Sequence, residues 1–432
     1  MASRSSALLV CVLVLIGGSL GWLAWELNRP IVFPPSASAT TGTKAMPAFR
    51  HQETRPLPAS LLAAPKKTAG SPEVEALNVP GSIPGEALLT FRTPEALAAF
   101  RDRAAKLGLR VLGYDPQLRT ARVRFGDPSG LARDLDEYAG DYSHVGPNYV
   151  ARIPGLPTEP VAETDTANAG GREPFRSQGL DSIGATGDRS KWGQGVKVAV
   201  IDSGVGAHPS LDETRITHID LLKDGSEMNG HGTAMASLIA GNDPNVGGVA
   251  PSAELLDIRV TDSQGESNTA LLASGIVKAA DLGARVINIS LGSAGYSPVL
   301  AEAVQYAQSR NAIVVAAAGN EQQTALLQPA GLPGVLSVGA VDANGNQAWF
   351  SNSGGTLTLA APGVGIVSGY SKGQLVIGSG TSQAAAITSG VVAQLMARGY
   401  SAPKIIPLLS RTAKPLNAPS TAVGAGLIQI PR

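Results

Sequence analysis

The sequence predicts an α/β fold, a doubly wound parallel sheet, with a small α+β domain in front of it. Residues 196–201 and 313–318 are unbroken runs of β-branched and small apolar residues. Strands buried on both faces read this way, whereas half-exposed strands alternate. Residues 234–240 and 383–398 are long stretches of small and apolar residues that read as buried helices, and the 51 glycines suit their close packing on a sheet. In front of these, residues 85–152 carry strand, helix, strand, strand, helix and strand signals in that order.

The chain opens with residues 7–25, which follow Arg4 and hold no charge. That length approaches the roughly 20 residues that span a bilayer. Trp22 and Trp25 stand at its outer end, as interfacial anchors do. A cleaved signal peptide has a shorter core of about 7–15 residues. The nearest Ala-x-Ala, Ala37-Ser38-Ala39, lies far downstream. Residues 1–27 are therefore expected to be an uncleaved signal-anchor or transmembrane segment, with the remainder of the chain outside the cytoplasm. A cleaved signal peptide and a secreted or shed protein are the alternative. Residues 28–84, rich in Pro, Ala, Ser and Thr without a sustained period, read as an extended tether.

Within 85–152, Ala87-Leu88-Leu89-Thr90-Phe91 reads as a strand. Thr93-Pro94-Glu95 opens a helix with an N-cap and a proline at its first position. Its apolar stripe is Leu97, Phe100, Ala104 and Leu107, and Gly108 ends it. Residues 109–112 and 120–125 read as strands around the Asp115-Pro116 turn. A second helix carries Leu131, Leu135 and Tyr138, and residues 144–152 form the last strand. This order is that of a ferredoxin-like domain. Residues 153–172, rich in Pro, Thr and Gly, are expected to be an exposed linker and a candidate processing site. Residues 173–432 form the larger domain.

The chemistry lies in that larger domain. The strand at 196–201 runs into Asp202, followed by Ser203 and Gly204. In open α/β sheets reactive groups collect at the carboxyl ends of strands. Asn229-Gly230-His231-Gly232-Thr233 precedes a helix of small residues. The strand at 313–318 delivers Gly319-Asn320, and Gly380-Thr381-Ser382 opens the long buried helix. A serine on a first helical turn sits where free N–H groups and the helix dipole favour developing negative charge. Singly, these residues are ordinary turn and cap formers. Together they supply an orienting carboxylate, a base, an oxyanion donor and a nucleophile.

These motifs, in the order Asp, His, Ser, resemble the blocks of the subtilisin-family serine peptidases, the subtilases. Gly248-Val249-Ala250-Pro251, Asn288-Ile289-Ser290-Leu291-Gly292, Ala361-Pro362-Gly363 and Gly426-Leu427-Ile428 resemble further landmarks of that family, from about residue 175 to the C-terminus. The resemblance implies a subtilisin-like fold and a serine endopeptidase working through an acyl-enzyme, with peptide or protein as substrate. It implies Asp202, His231 and Ser382 as the catalytic residues and Asn320 as the oxyanion donor. It implies substrate-binding segments at Gly265, Glu266 and Ser267 and at Ser290, Leu291 and Gly292, with an extended peptide between them. Leu327 is expected at the base of the first specificity pocket, making it shallow. No organic cofactor is required. Asn242, Asp243 and Asn245 are able to ligate a structural calcium ion, and a polar turn around Pro244 explains them equally well. Gly146-Pro147-Asn148-Tyr149 resembles the subtilase propeptide, which implies that the small domain is the enzyme's own inhibitor.

The sequence departs from the family pattern at Gln383 and Ala386, where Met and Pro are usual, and at Ala234, where a second His is frequent. A catalytically silent, peptide-binding scaffold at the membrane is the competing reading. The formal net charge is zero and no basic cluster stands out, so nothing points to nucleic acid. One cysteine, Cys11, excludes an internal disulfide framework.

Overall fold

The computed structural model describes residues 72–155, 171–243 and 246–431. The expected anchor at 7–25 lies outside the described residues. No helix among the described residues is long and apolar enough to cross a membrane.

The small domain contains six elements in the expected order. They are β1 (Ser82–Phe91), a helix over Pro94–Arg103, β2 (Leu109–Asp115), β3 (Thr120–Phe125), a helix over Pro128–Glu137, and β4 (Tyr142–Arg152). The sheet order is β2-β3-β1-β4, and each neighbouring pair is antiparallel. The first helix starts where Thr93 Oγ1 accepts the Ala96 N–H at 3.2 Å with Pro94 behind it. It tightens into a 3-10 turn over Ala104–Leu107 and stops at Gly108, whose φ of 71° needs no side chain. The second starts in the same way at Asp127 and Pro128.

Strand β1 is buried on both faces. Ala87, Leu89 and Phe91 join Leu97, Phe100, Leu131 and Leu135 in the core under the helices. Leu88 instead joins the core of the larger domain. Glu86 and Thr90 lie on that same face by alternation, and both are fully buried. The sheet is thus the contact surface between the two domains.

Three expectations are corrected here. A short helix at Pro72–Glu75 and buried Val74 and Leu77 belong to the small domain's core, so its order begins inside the stretch read as tether to residue 84. Tyr138 leaves the apolar stripe of the second helix. It is exposed beyond the helix end and stacks under the Arg103 guanidinium at 3.9 Å. The linker read as starting at 153 has its first three residues held against the larger domain.

The larger domain is built on seven parallel strands. These are β5 (Lys197–Asp202), β6 (Ile216–Asp220), β7 (Glu254–Arg259), β9 (Val286–Ile289), β10 (Ile313–Ala317), β11 (Leu336–Val341) and β12 (Leu359–Pro362). Their order is β12-β11-β10-β9-β5-β7-β6, and every neighbouring pair is parallel. A separate three-residue strand, β8 (Glu266–Asn268), pairs with β4 of the small domain. Side chains alternate between two cores. Val198, Val200, Ile313 and Val315 pack with the helices over His231–Ala240 and Thr381–Ala397. Ala199, Ile201, Val314 and Ala316 pack with those over Thr269–Asp281 and Pro298–Ser309. Two covered faces explain the unbroken apolar runs. The order reverses beside β5, which has β7 on one side and β9 on the other. Ligand crevices form outside the carboxyl ends of strands at such a point.

The helix over Thr381–Ala397 runs through the domain, with every residue from Thr381 to Met396 buried. It passes the Gly248-Val249-Ala250 turn so closely that a Cβ on Gly390 would lie 2.6 Å from that of Val249. Small residues along this helix therefore set the position of its first turn, where Ser382 stands.

Candidate active site

Asp202 ends β5 fully buried. Its Oδ1 accepts the Ser203 N–H at 2.7 Å. His231 is the first residue of its helix, placed by Gly230 at φ 79° and by Asn229 Oδ1, which accepts the His231 N–H at 2.9 Å. A Cβ on Gly230 would press on the Tyr370 ring, whose hydroxyl donates to the Asn229 carbonyl at 2.7 Å. Gly230 therefore serves both a left-handed turn and a close approach. The Gly232 N–H donates to Ser203 Oγ at 3.1 Å, locking the aspartate turn to the histidine helix. His231 Nδ1 then lies 2.9 Å from each oxygen of Asp202. A carboxylate only accepts, so this contact puts the proton on Nδ1 and leaves Nε2 as the basic nitrogen.

Asn320 follows β10 through Gly319, whose φ is 109°. Its Oδ1 accepts both the N–H and the Oγ1–H of Thr381 at 2.9 Å. The amide orientation is thereby fixed, and Nδ2 faces the cleft. Thr381 Oγ1 also accepts the Gly319 N–H at 3.1 Å, so one side chain ties the asparagine loop to the serine helix. Ser382 stands on the second residue of that helix, with its hydroxyl turned to the Ser290 carbonyl at 3.4 Å. Among the described residues no hydrogen bond joins Ser382 to His231. Buried Asn288 braces the same corner, donating to Ser290 Oγ at 3.1 Å and accepting from Ser389 Oγ at 2.9 Å.

The cleft holds the chain's own residues 150–155. Val150, Ala151 and Arg152 pair antiparallel with Asn268, Ser267 and Glu266. On the other side Arg152 and Gly292 exchange two backbone hydrogen bonds of 2.9 Å. The Ile153 N–H donates to the Gly265 carbonyl at 3.0 Å. Arg152 Nε also lies 3.1 Å from the Glu266 carboxylate. At the end of this extended segment, the Gly155 carbonyl accepts from Asn320 Nδ2 at 3.4 Å. The segments containing Gly265, Glu266 and Ser267 and containing Gly292 thus clamp a peptide by strand addition. Ser290 lies at the serine, whereas Leu291 turns inward and joins the core. Leu327 fills the space between Gly292 and Gly319, since a Cβ on either glycine would come within 2.8 Å of it.

Three features have contacts that the sequence does not show, although Asn148 and Tyr149 lie in the propeptide-like motif. Glu321 lies beside Gly319 and accepts from Asn352 Nδ2 at 2.8 Å. Burial pushes its carboxyl above the ordinary range against that hydrogen bond. Glu86 and Asn148 form the second feature. Glu86 accepts from Arg122, Arg124 and Asn148 Nδ2. Asn148 Oδ1 in turn accepts from Thr269 Oγ1 at 3.1 Å and from the Ala270 N–H at 3.2 Å, at the start of a helix of the larger domain. The third is Tyr149, whose ring covers Gly295 so closely that any Cβ there would overlap it. Asn148→Ala deletes the two bonds to the helix and leaves Glu86 short of a donor. We expect the small domain's hold to weaken by about 2 kcal/mol, roughly thirtyfold in affinity. The rate at which the small domain leaves a chain cut after Gly155 is the measurement.

Of the residues considered for calcium, Asn245 lies outside the described residues. Asn242 is tied to the Ser210 carbonyl by its own N–H at 2.7 Å. Among the described residues no group of three His, Cys, Asp or Glu side chains is placed to hold a metal ion.

The profile of the Subtilase family of S8 peptidases matches residues 193–426, which contain Asp202, His231, Asn320 and Ser382. Thermitase of Thermoactinomyces vulgaris is 36% identical over 243 residues, covering 55% of this chain and 87% of that protein. The thermophilic serine proteinase of Bacillus sp. strain AK1 is 36% identical over 248 residues, covering 56% of this chain but only 62% of its own length. Among solved structures, fervidolysin of Fervidobacterium pennivorans, described as a keratinolytic enzyme related to subtilisin, superposes with a TM-score of 0.67 at 26% identity. That likeness covers 80% of this chain and 60% of fervidolysin, so it reaches N-terminal to the part that the family profile covers. The fold, the order of the motifs and these likenesses agree: the chain belongs to the subtilase family of serine peptidases.

Proposed function

We propose that the protein is a serine endopeptidase and that its first substrate is the peptide bond between Gly155 and Leu156 of its own chain. The observation that carries this reading is the Gly155 carbonyl on Asn320 Nδ2, at the end of a segment clamped as an added strand. In the proposed reaction Ser382 Oγ attacks that carbonyl carbon while His231 Nε2 takes the hydroxyl proton. Asp202 holds the ring and stabilises its charged form. Asn320 Nδ2 and the Ser382 N–H bind the oxyanion. His231 returns the proton to the leaving nitrogen, the C–N bond breaks, and water then hydrolyses the acyl-enzyme by the same steps in reverse. No organic cofactor enters. Peptides and proteins held by backbone pairing at Gly265, Ser267 and Gly292 are the later substrates.

After the cut, the small domain remains as the enzyme's own inhibitor for as long as Glu86, Asn148 and Tyr149 hold it. The expected membrane anchor precedes the cut and the catalytic residues follow it. Processing therefore frees the catalytic domain from the membrane once the inhibitor leaves. Expression of wild type and Ser382→Ala, with fractionation of each fragment, tests this. An active protease that stays full length and membrane-bound contradicts it.

One observation favours the silent-scaffold reading: the Ser382 hydroxyl meets Ser290 rather than His231. Hydrogen bonds of a catalytic site often tighten only when substrate is engaged. A serine-reactive fluorophosphonate probe separates the two. Labelling that disappears in Ser382→Ala supports the enzyme, and an unlabelled wild type supports the scaffold.

A further inference from the structure

A second histidine–carboxylate cluster lies one step behind the catalytic carboxylate. In the sheet, Asp257 of β7 pairs with Val200 of β5 and with His218 of β6. Two pairings further toward the strand ends, Asp202 pairs with Arg259 and Arg259 with Asp220. Residues paired across parallel strands share a face, and so do residues two apart on one strand. Asp257 and His218 therefore stand on the face that carries Asp202, one row further back.

The contacts fix the charge of the cluster. His218 Nδ1 is 2.8 Å from Asp257 Oδ2, and His218 Nε2 is 2.8 Å from Glu213 Oε1. Both ring nitrogens face carboxylate oxygens, which accept only, so the ring carries two protons and a positive charge. Asp257 is buried, and its Oδ1 has no hydrogen-bond partner. Without His218 the Asp257 charge would be both desolvated and unpaired, which is costly. Burial, first, pushes the Asp257 carboxyl above its ordinary range and Asp202 adds to the rise, while His218 and the Val205 N–H favour the charged form against it. Val205 follows Asp202 by three residues, in the turn locked to the His231 helix.

We infer that His218 is a positioning residue for the catalytic carboxylate: its charged ring cancels the buried Asp257 charge that would otherwise act on Asp202 and His231. The inference rests on the endopeptidase reading for its catalytic consequence. Asp257 first, and Glu213 with it, push the His218 ring up to about 9 against the effect of burial. A raised value means the pair's contribution is complete below the ordinary histidine value near 6.5 and is lost as pH rises through about 9. Without the His218 ring the buried Asp257 takes up a proton at low pH, and once it ionises as pH rises it adds an uncompensated negative charge beside Asp202, the partner of His231. That favours the imidazolium, which cannot act as the base.

The test is the pH dependence of kcat/KM for the full chain. In His218→Gln we expect the acid limb to move to higher pH, about a threefold loss where the wild type is half-maximal. His218→Lys, which keeps a positive charge, should restore most of the loss, as should Asp257→Asn added to His218→Gln. Superimposable profiles accompanied only by a lower Tm would reduce the cluster to a structural ion pair and overturn the inference. A second readout needs no activity. In the Ser382→Ala chain, the His231 ring resonances should show an inflection near pH 9 in step with those of His218, absent in His218→Gln. A flat His231 response through that range overturns the inference whether or not the wild type cleaves peptides. A wild type that neither cleaves nor takes a fluorophosphonate label, yet shows the coupled inflection, defeats only the endopeptidase reading.

Discussion

Ser382→Ala is expected to abolish processing of the chain and to lower kcat on added peptides by about a millionfold. The physical reason is that Ser382 carries a hydroxyl on the first turn of the buried helix, next to Thr381, which holds the asparagine that contacts the clamped segment. Removing a nucleophile removes the covalent step, and what survives is the about 10³–10⁴-fold over water that oxyanion binding and positioning supply alone. The fold should be unaffected. Ser382 is buried, and its Oγ contact to Ser290 is long at 3.4 Å. Unchanged Tm together with lost hydrolysis is thus the expected pair of results. A variant that retains one-tenth of wild-type kcat would remove Ser382 from the chemistry.

The second large effect is at Asn320. Asn320→Ala is expected to lower kcat by about 10²–10³, equivalent to about 3–4 kcal/mol of barrier, with KM little changed. The split matters. A donor aimed at the oxyanion acts in the transition state more than on the bound ground state. The structure adds a control. Thr381 holds the Asn320 Oδ1 through two hydrogen bonds, so Thr381→Val deletes one and leaves the other. It should lose less, about tenfold, by loosening an amide that is still present. If Asn320→Ala raised KM and left kcat alone, the side chain would be a ground-state contact to residue 155 and not an oxyanion donor.

The parts of the fold that chemistry dictates were legible in the sequence. Strands β5 and β10 read as buried because both faces are covered; β5 ends on Asp202, and β10 leads through Gly319 to Asn320. Thr93-Pro94 and Gly108 marked the limits of a helix because caps and left-handed turns restrict residue type. Asp202 and His231 meet, and Asn320 meets the serine helix; the order of the motifs and the family resemblance name these residues. What could not be read depends on contacts between distant segments. Glu86, Leu88 and Thr90 look like an ordinary mixed strand until the larger domain covers their face. Asn148 lies in the propeptide-like motif, but nothing local says that its side chain meets the start of the helix at Thr269. Leu291 sits in a segment that walls the cleft, yet alternation sends its side chain into the core. The His218–Asp257 contact spans 39 residues and depends on the register of β6 against β7, which no local pattern fixes. Residues 153–155 read as linker because proline and glycine dominate them; the backbone pairing that holds them ignores residue type.

The most direct test of the account is the N-terminus of the mature catalytic fragment, determined by mass spectrometry. If residues 150–155 occupy the cleft as the first substrate, the wild type yields a fragment beginning at Leu156, and Ser382→Ala yields none. A wild-type chain that remains uncut, or a Ser382→Ala chain cut at the same bond, would contradict it.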